Sequence, residues 1–92
     1  MKQNEPTRIR EGGTRVTRTT NGDEVIAALR QIVAARQYAK INGYMVDGFT
    51  AGGILTVYDK LDANHQEVMR NLPIHRMADV AMKLIKRHQE PA

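Results

Sequence analysis

The chain of 92 residues makes one small domain. This length is close to the lower limit for a hydrophobic core that is stable without a disulfide bond or a bound metal. It has no cysteine for a disulfide bond or a thiolate zinc site, and no run of about 18 apolar residues that would span a bilayer. These features and the polar start MKQNEPTRIR predict a soluble cytoplasmic protein without membrane contact, and the net charge of +4 favours anionic partners.

The segment TRIREGGTRVTR, residues 7–18, has nearly mirror-image halves around Gly12-Gly13. Residues 7–20 alternate with a period of two, which predicts two strands joined by a two-residue loop. The predicted register pairs Glu11 with Thr14, Arg10 with Arg15, Ile9 with Val16, and Arg8 with Thr17. The alternative is a flexible basic arm, because an isolated two-stranded hairpin is marginally stable in water.

This register separates apolar and charged side chains on the two faces of the ribbon. We expect Ile9 and Val16 to pack on the helices. The arginines Arg8, Arg10 and Arg15 are expected to point outward. Like charges opposite each other destabilise a sheet, so these arginines predict a phosphate or acidic-protein ligand.

A first helix is predicted from Asp23 to about Lys40, after a break at Asn21-Gly22. Its apolar residues recur at helical spacing: Val25, Ile26, Leu29, Ile32 and Val33. Asn42-Gly43 is interpreted as the stop of this helix, with the glycine in the left-handed conformation.

The next three residues, 44–46, are predicted to form an extended connector on the core. Thr50 is predicted to cap a second helix over roughly residues 51–61. This helix buries four apolar residues: Ile54, Leu55, Tyr58 and Leu61. Gly52 and Gly53 are poor helix formers, and they predict a close backbone approach by another helix or a ligand.

Two more helices complete the chain. The third is predicted over about residues 65–71, where Asn64 and Glu67 resemble a capping box. The fourth runs from Pro73 to about His88. It has the clearest apolar stripe of the sequence: Met77, Val80, Ala81, Leu84 and Ile85.

Basic residues are concentrated in two clusters near the ends of the chain. The first cluster contains Arg8, Arg10, Arg15 and Arg18, with Glu11 as the single acid among them. The second contains Lys83, Lys86 and Arg87. Such clustering predicts contact with nucleic-acid phosphates or with an acidic partner. The alternative is that both ends are simply solvated.

These elements predict a mainly α fold, a small bundle of three to four helices with a basic N-terminal arm or β-hairpin. Residues 1–22 form the arm and residues 23–90 form the helical domain. With one phenylalanine and no tryptophan the core is small, so we expect the chain to form a homo-oligomer.

No catalytic, metal or cofactor site is predicted. His75 and Asp79 have i,i+4 spacing, but two weak ligands do not make a metal site, and a surface ion pair is the better interpretation. The acids Asp47, Asp59 and Asp62 are interpreted as turn, helix-surface and cap residues. The chain has no serine and no cysteine as nucleophile, so we expect no enzyme activity.

Two patterns typical of phosphate and DNA recognition fit the sequence poorly. The segment DGFTAGG, residues 47–53, lacks the lysine of a P-loop, so a turn with a helix cap is the better interpretation. The helices at 51–61 and 65–71 are joined by a short link, as in a helix-turn-helix. However, the second segment, HQEVMRNL, carries a single arginine for a DNA groove.

About half of the chain, residues 37–85, resembles a group of small, mostly uncharacterised proteins encoded by tailed bacteriophages. The likeness rests on INGYMVDGFTA (41–51), VYDKL (57–61), the helix-opening Asn64 and RMADVAMKL (76–84). Gly52-Gly53 departs from the alanine-like residues expected there, and the arginine-bearing arm lies outside the shared part. The resemblance implies an accessory factor that acts inside an infected bacterium by binding a host protein or nucleic acid.

The sequence therefore predicts a non-enzymatic, phage-type accessory or regulatory binding protein. Its helical domain would engage a host protein or a second copy of itself, and its basic arm would meet an acidic surface. The alternative is a DNA- or RNA-binding protein that uses the N-terminal arginines together with the C-terminal basic cluster.

Overall fold

The computed structural model describes residues 7–11 and 14–89, with side chains from Arg15 to Arg87. Within these residues, four helices and four short strands follow one another. In chain order they are β1 (Thr7–Glu11), β2 (Thr14–Arg18), α1 (Gly22–Ala35), β3 (Ala39–Ile41), β4 (Tyr44–Val46), α2 (Gly48–Lys60), α3 (Ala63–Arg70) and α4 (Ile74–Gln89). The fold is mainly α, as predicted.

The first two strands form the antiparallel ribbon that the sequence predicts. β1 pairs with β2 in the predicted register, from Glu11 opposite Thr14 to Arg8 opposite Thr17. The predicted loop, Gly12-Gly13, lies outside the described residues. The ribbon does not stand alone, since β2 has a second neighbour.

That neighbour extends the ribbon into a sheet of order β1-β2-β3-β4. β2 runs parallel to β3, with α1 as the crossover, whereas β3 and β4 are antiparallel. At the end of the parallel pair the Asn42 N–H donates to the Thr17 carbonyl oxygen at 2.8 Å. The strands predicted as an arm thus share one sheet with residues 39–46, while the domain boundary after residue 22 stays a prediction.

Pairing with β3 reverses the predicted faces of the ribbon. Directly paired residues share a face of a sheet, and the pairs are Thr17 with Ile41 and Val16 with Lys40. Ile41 is fully buried in the core that the helices cover. The prediction that Val16 packs on the helices is therefore wrong: Val16 is buried on the opposite face, and Thr17 occupies the side of the core.

α1 ends at Ala35, earlier than the predicted end near Lys40. Arg36 takes the left-handed conformation (φ 56°, ψ 41°), and its N–H returns to carbonyl oxygens of the last turn. Asn42 and Gly43 both have positive φ, 50° and 82°, as a type I′ hairpin turn requires. Asn42-Gly43 is therefore the turn of the β3–β4 hairpin and not a helix stop.

Aspartates cap α2 and α3 ahead of the predicted caps. Asp47, not Thr50, caps α2 and accepts a hydrogen bond from the Thr50 backbone N–H at 2.7 Å. Asp62, not Asn64, caps α3 and accepts from the His65 backbone N–H at 2.9 Å. A carboxylate accepts such bonds well at the positive end of a helix, so each helix begins earlier than predicted.

The core lies between the helices and one face of the sheet. Its completely buried members are Leu29, Ile41, Val46, Ala51, Ile54, Met77 and Ala81. α4 packs on α2 at Gly53 through side chains, since an added Cβ would lie 2.7 Å from Met82 Cε, so no helix backbone makes the predicted close approach there. Gly52 faces open space instead. None of the helices within residues 22–89 has the length and hydropathy that a bilayer span needs.

Candidate binding surface on the last helix

α4 separates an apolar side from a polar side between Ile74 and Arg87. The Pro73 carbonyl oxygen accepts hydrogen bonds from the N–H groups of Arg76 and Met77, at 2.9 and 3.0 Å, and so starts the helix. The predicted apolar stripe packs on the core, with Met77 and Ala81 fully buried. Successive residues turn by about 100°, which places the polar residues together on the outer side.

We call five exposed residues of that outer side the basic face. They are Arg76, Asp79, Lys83, Lys86 and Arg87. The single acid, Asp79, has its Oδ2 3.2 Å from Lys83 Nζ, as an i,i+4 pair. No acid in the described part of the chain pairs with the other three cations. The basic face therefore presents unpaired positive charge over about 17 Å of helix.

A groove of about 480 Å³ runs beside the N-terminal half of the basic face. We call it the α4 groove, and its lining is Tyr44, Thr50, His75, Arg76, Ala78, Asp79 and Met82. β4 contributes the tyrosine, α2 the threonine, and α4 the other residues. The groove thus combines apolar lining from β4 and α4 with the charged residues Arg76 and Asp79.

Exposed apolar side chains surround the turn between β4 and α2. Tyr44 is 39% exposed, Met45 47% and Phe49 80%. We call these three residues the apolar corner. Scattered apolar residues are normal on a protein surface, and of these three Tyr44 is the one that lines the α4 groove. Met45, the next residue of β4, lies on the opposite face of the sheet. The corner is held in place by the I′ turn before it and by the Asp47 cap within it.

The carboxylates of Asp47 and Asp62 accept hydrogen bonds from backbone N–H groups at the starts of α2 and α3. The hydrogen bond from the Thr50 backbone N–H lowers the pKa of Asp47. The hydrogen bond from the His65 backbone N–H, followed by the contact with the His65 ring, lowers the pKa of Asp62. Both acids therefore stay ionised at neutral pH as helix caps, which confirms the predicted role of Asp62.

Asp59 and Asp79 each have an ion-pair partner. Asp59 lies on the surface of α2, as predicted, and accepts two hydrogen bonds from the Arg30 guanidinium, at 2.7 and 3.2 Å. These bonds lower the pKa of Asp59. Asp79 pairs with Lys83 and not with His75, although both line the α4 groove. Within the described residues, His, Asp and Glu form no group of three that could hold a metal ion.

The N-terminal arginines lie on the sheet and not on the basic face. Arg15 is half-buried and donates through Nη1 to the side-chain oxygen of Gln31 in α1, so it does not point outward as predicted. Arg18 is exposed. Arg8 and Arg10 belong to β1, where Arg10 lies opposite Arg15. The two predicted basic clusters thus belong to different elements.

Arg76, Tyr44 and Met82 were not among the predicted binding residues. For Arg76 a signal was present, because residues seven and eleven positions apart lie on the same side of a helix, and Lys83 and Arg87 have this spacing from it. For Tyr44 no local signal exists. It reaches α4 only because the β3–β4 hairpin forms, and that hairpin was not predicted.

A second cleft, of about 350 Å³, lies at the start of α1, and its polar lining residues Thr19, Asn42 and Arg70 all have hydrogen-bond partners. Arg70 donates through Nη1 to the Tyr58 hydroxyl at 2.6 Å, and its Nε lies 3.3 Å from Asp23 Oδ1. Asn21 caps α1 by accepting from the N–H groups of Asp23 and Glu24. This cleft is therefore a structural junction between α1, α2 and α3.

The basic face, the α4 groove and the apolar corner are the surface features on which a function can be argued. No protein-family model matches the chain, and comparison with curated proteins and with solved structures gives no match either.

Proposed function

We propose that this chain is a non-enzymatic binding protein that docks an acidic protein partner on its basic face. The observation that carries the proposal is the row of cations Arg76, Lys86 and Arg87 on a single exposed helix side, with no acid of the described residues paired to them. Complementary charge steers the encounter of two proteins and fixes their register. A helix that packs its opposite side on the core holds these charges at fixed spacing.

The lining of the α4 groove favours a protein as the partner. Protein interfaces are enriched in aromatic residues, methionine and arginine and have a polar rim. Tyr44 and Met82 supply the first two types in the groove that Arg76 also lines. A homo-oligomer would have to use another surface, because two basic faces placed together repel each other.

The resemblance to small tailed-bacteriophage proteins supports a place for this function inside an infected bacterium. The segment RMADVAMKL, residues 76–84, carries part of that resemblance and contains both Arg76 and Lys83 of the basic face. On this proposal the partner is a host protein with an acidic surface in the bacterial cytoplasm, and its occupation by the phage-type protein regulates it.

Nucleic-acid binding is the second candidate function. The observation that favours it is the position of Arg10 opposite Arg15 across β1 and β2, with Arg18 exposed at the end of β2. Arg15 already donates to Gln31, which leaves it less available for a phosphate. Binding of this type weakens steeply with salt, because counterions are released from the nucleic acid.

The test is capture of partners from a nuclease-treated bacterial lysate on the immobilised chain. The variant Arg76→Gln/Arg87→Gln removes two charges from the basic face. The control Arg36→Gln/Lys60→Gln removes two exposed charges elsewhere. We expect an acidic protein that the wild type and the control retain and that the basic-face variant binds about fivefold more weakly.

Two outcomes would contradict this proposal. Equal capture by the basic-face variant and the control would show that the basic face is not the docking surface. Loss of all bound material after nuclease treatment, with salt-sensitive DNA or RNA affinity that Arg10→Gln/Arg18→Gln weakens, would favour nucleic-acid binding instead.

A further inference from the structure

We infer that the α4 groove is the specificity pocket of the basic face and holds one large apolar side chain of an acidic partner segment. This inference rests on the proposed docking of an acidic protein. It adds the chemistry of the partner: an aromatic or large aliphatic residue with carboxylates beside it, and not a uniformly acidic surface.

Three of the seven residues that line the groove offer apolar surface to an apolar side chain. Tyr44, Ala78 and Met82 provide apolar surface from β4 and α4, and the volume of about 480 Å³ lies within the range of small-molecule sites. Methionine is flexible and polarisable, so Met82 can adapt its shape to an aromatic ring. Thr50 closes the groove on the side of α2.

The charge at the rim explains why the apolar residue should have acidic neighbours. Arg76 lines the groove, is exposed and has no acidic partner among the described residues. The charge of Asp79, the one acid in the lining, is balanced by Lys83 at 3.2 Å. A carboxylate beside the bound apolar residue would therefore meet a free guanidinium, which binds it in a bidentate manner.

The basic face and the groove then divide the recognition of the partner. Exposed charges along the helix mainly raise the association rate, whereas an anchor residue buried in a pocket carries most of the binding energy. From Arg76 to Arg87 the face extends about 17 Å, the length of about five extended residues. A short linear segment can therefore occupy both.

Two synthetic acidic peptides test this inference, one with a central phenylalanine flanked by glutamates and one with alanine in its place. Affinity for the full-length chain is measured by fluorescence anisotropy at low salt. We expect the wild type to bind the phenylalanine peptide about tenfold more tightly. Tyr44→Ala should reduce this preference to less than about threefold, because it removes the aromatic part of the groove lining.

Two further variants make the result interpretable. Thr50→Leu places a larger side chain in the groove lining from α2 and should also reduce the preference, so the test does not depend on Tyr44→Ala alone. Val68→Ala removes an apolar side chain that is 60% exposed on α3, outside the groove lining, and should keep the full preference.

Three other results of the peptide measurements would contradict either the proposed function or the role of the α4 groove. If neither peptide binds at low salt, the proposed docking of an acidic partner fails, and this inference fails with it. If both peptides bind equally and Arg76→Gln/Arg87→Gln weakens both, the proposed function stands and the groove is not the specificity pocket. A preference for phenylalanine that survives both Tyr44→Ala and Thr50→Leu would place the apolar residue elsewhere.

Discussion

A Cβ atom added to Gly22 would lie 2.2 Å from the carbonyl oxygen of Arg70, so the first residue of α1 rests on the backbone of the last residue of α3. The same added atom would lie 2.6 Å from the Arg70 Cβ. Because these atoms belong to or adjoin the backbone, they cannot swing away as the end of a long side chain can. Glycine is therefore required at this helix junction.

Replacing Gly22 with alanine should destabilise the protein much more than the equivalent change in α2. Gly48 is the first residue of α2, as Gly22 is of α1, but an added Cβ there meets no atom within 4 Å. We expect Gly22→Ala to lower the free energy of unfolding by about 2 kcal/mol and Gly48→Ala to change it by less than about 0.5 kcal/mol. Urea unfolding followed by circular dichroism measures both changes. Equal changes in the free energy of unfolding would show that the contact between Gly22 and Arg70 can widen without a loss of stability.

The two glycines within α2 should respond differently to alanine. Gly52 faces open space, so Gly52→Ala should raise the free energy of unfolding by up to about 1 kcal/mol through helix propensity. At Gly53 the new Cβ meets Met82 Cε at 2.7 Å and Ile85 Cδ1 at 3.2 Å. Gly53→Ala should therefore raise the free energy of unfolding less than Gly52→Ala does. Thermal unfolding of the two variants gives the comparison. A larger gain at Gly53 than at Gly52 would mean that α4 does not pack as closely as described.

The I′ turn between β3 and β4 should tolerate asparagine better than alanine at Gly43. With φ at 82°, alanine is strained there, and Gly43→Ala should lower the free energy of unfolding by about 1–2 kcal/mol. Asparagine adopts positive φ more readily than alanine, so Gly43→Asn should lower the free energy of unfolding less than Gly43→Ala does. Denaturant unfolding ranks the two variants, and the opposite order would contradict the assigned turn.

Acid should destabilise the protein partly through its helix caps. The folded-state pKa values of Asp47 and Asp62 are lowered, so their contribution is complete above the unfolded aspartate pKa of about 3.9 and is lost as pH falls through the lower folded values. Asparagine also caps helices but does not titrate. We expect the free energy of unfolding of Asp47→Asn/Asp62→Asn to fall less steeply below about pH 4 than that of the wild type. Parallel slopes in urea titrations across this range would contradict the assignment.

Local patterns were sufficient to predict the helices and the first hairpin. The apolar stripe of α4 and the buried residues of α2 have helical spacing, which depends only on neighbours within one helix. The β1–β2 register follows from the mirror-image sequence around one glycine pair, and the structure confirms it. These features depend only on residues that are close together in the chain, so local sequence patterns are enough to predict them.

Features that depend on distant partners were not predictable in the same way. Asn42-Gly43 can end a helix or turn a hairpin, and the choice depends on β2, which offers β3 a parallel partner. The same pairing decides that Thr17, and not Val16, faces the core. The α4 groove likewise joins Tyr44 and Thr50 to α4, and no periodicity within one segment reveals such a meeting.

The parallel pairing of β2 with β3 has a consequence for aggregation. Hairpins such as β3–β4 form locally in about 1–10 µs, whereas β2 must wait for α1 to fold back before it can dock. Until then β3 is an open sheet edge, and such edges recruit strands from other chains. Once docked, the arginine-rich strands cover that edge and leave β1 as the new outer strand, where charged residues discourage further pairing. The basic N-terminal ribbon thus covers the edge of β3, while β4 forms the other edge of the sheet, whichever partner the protein binds.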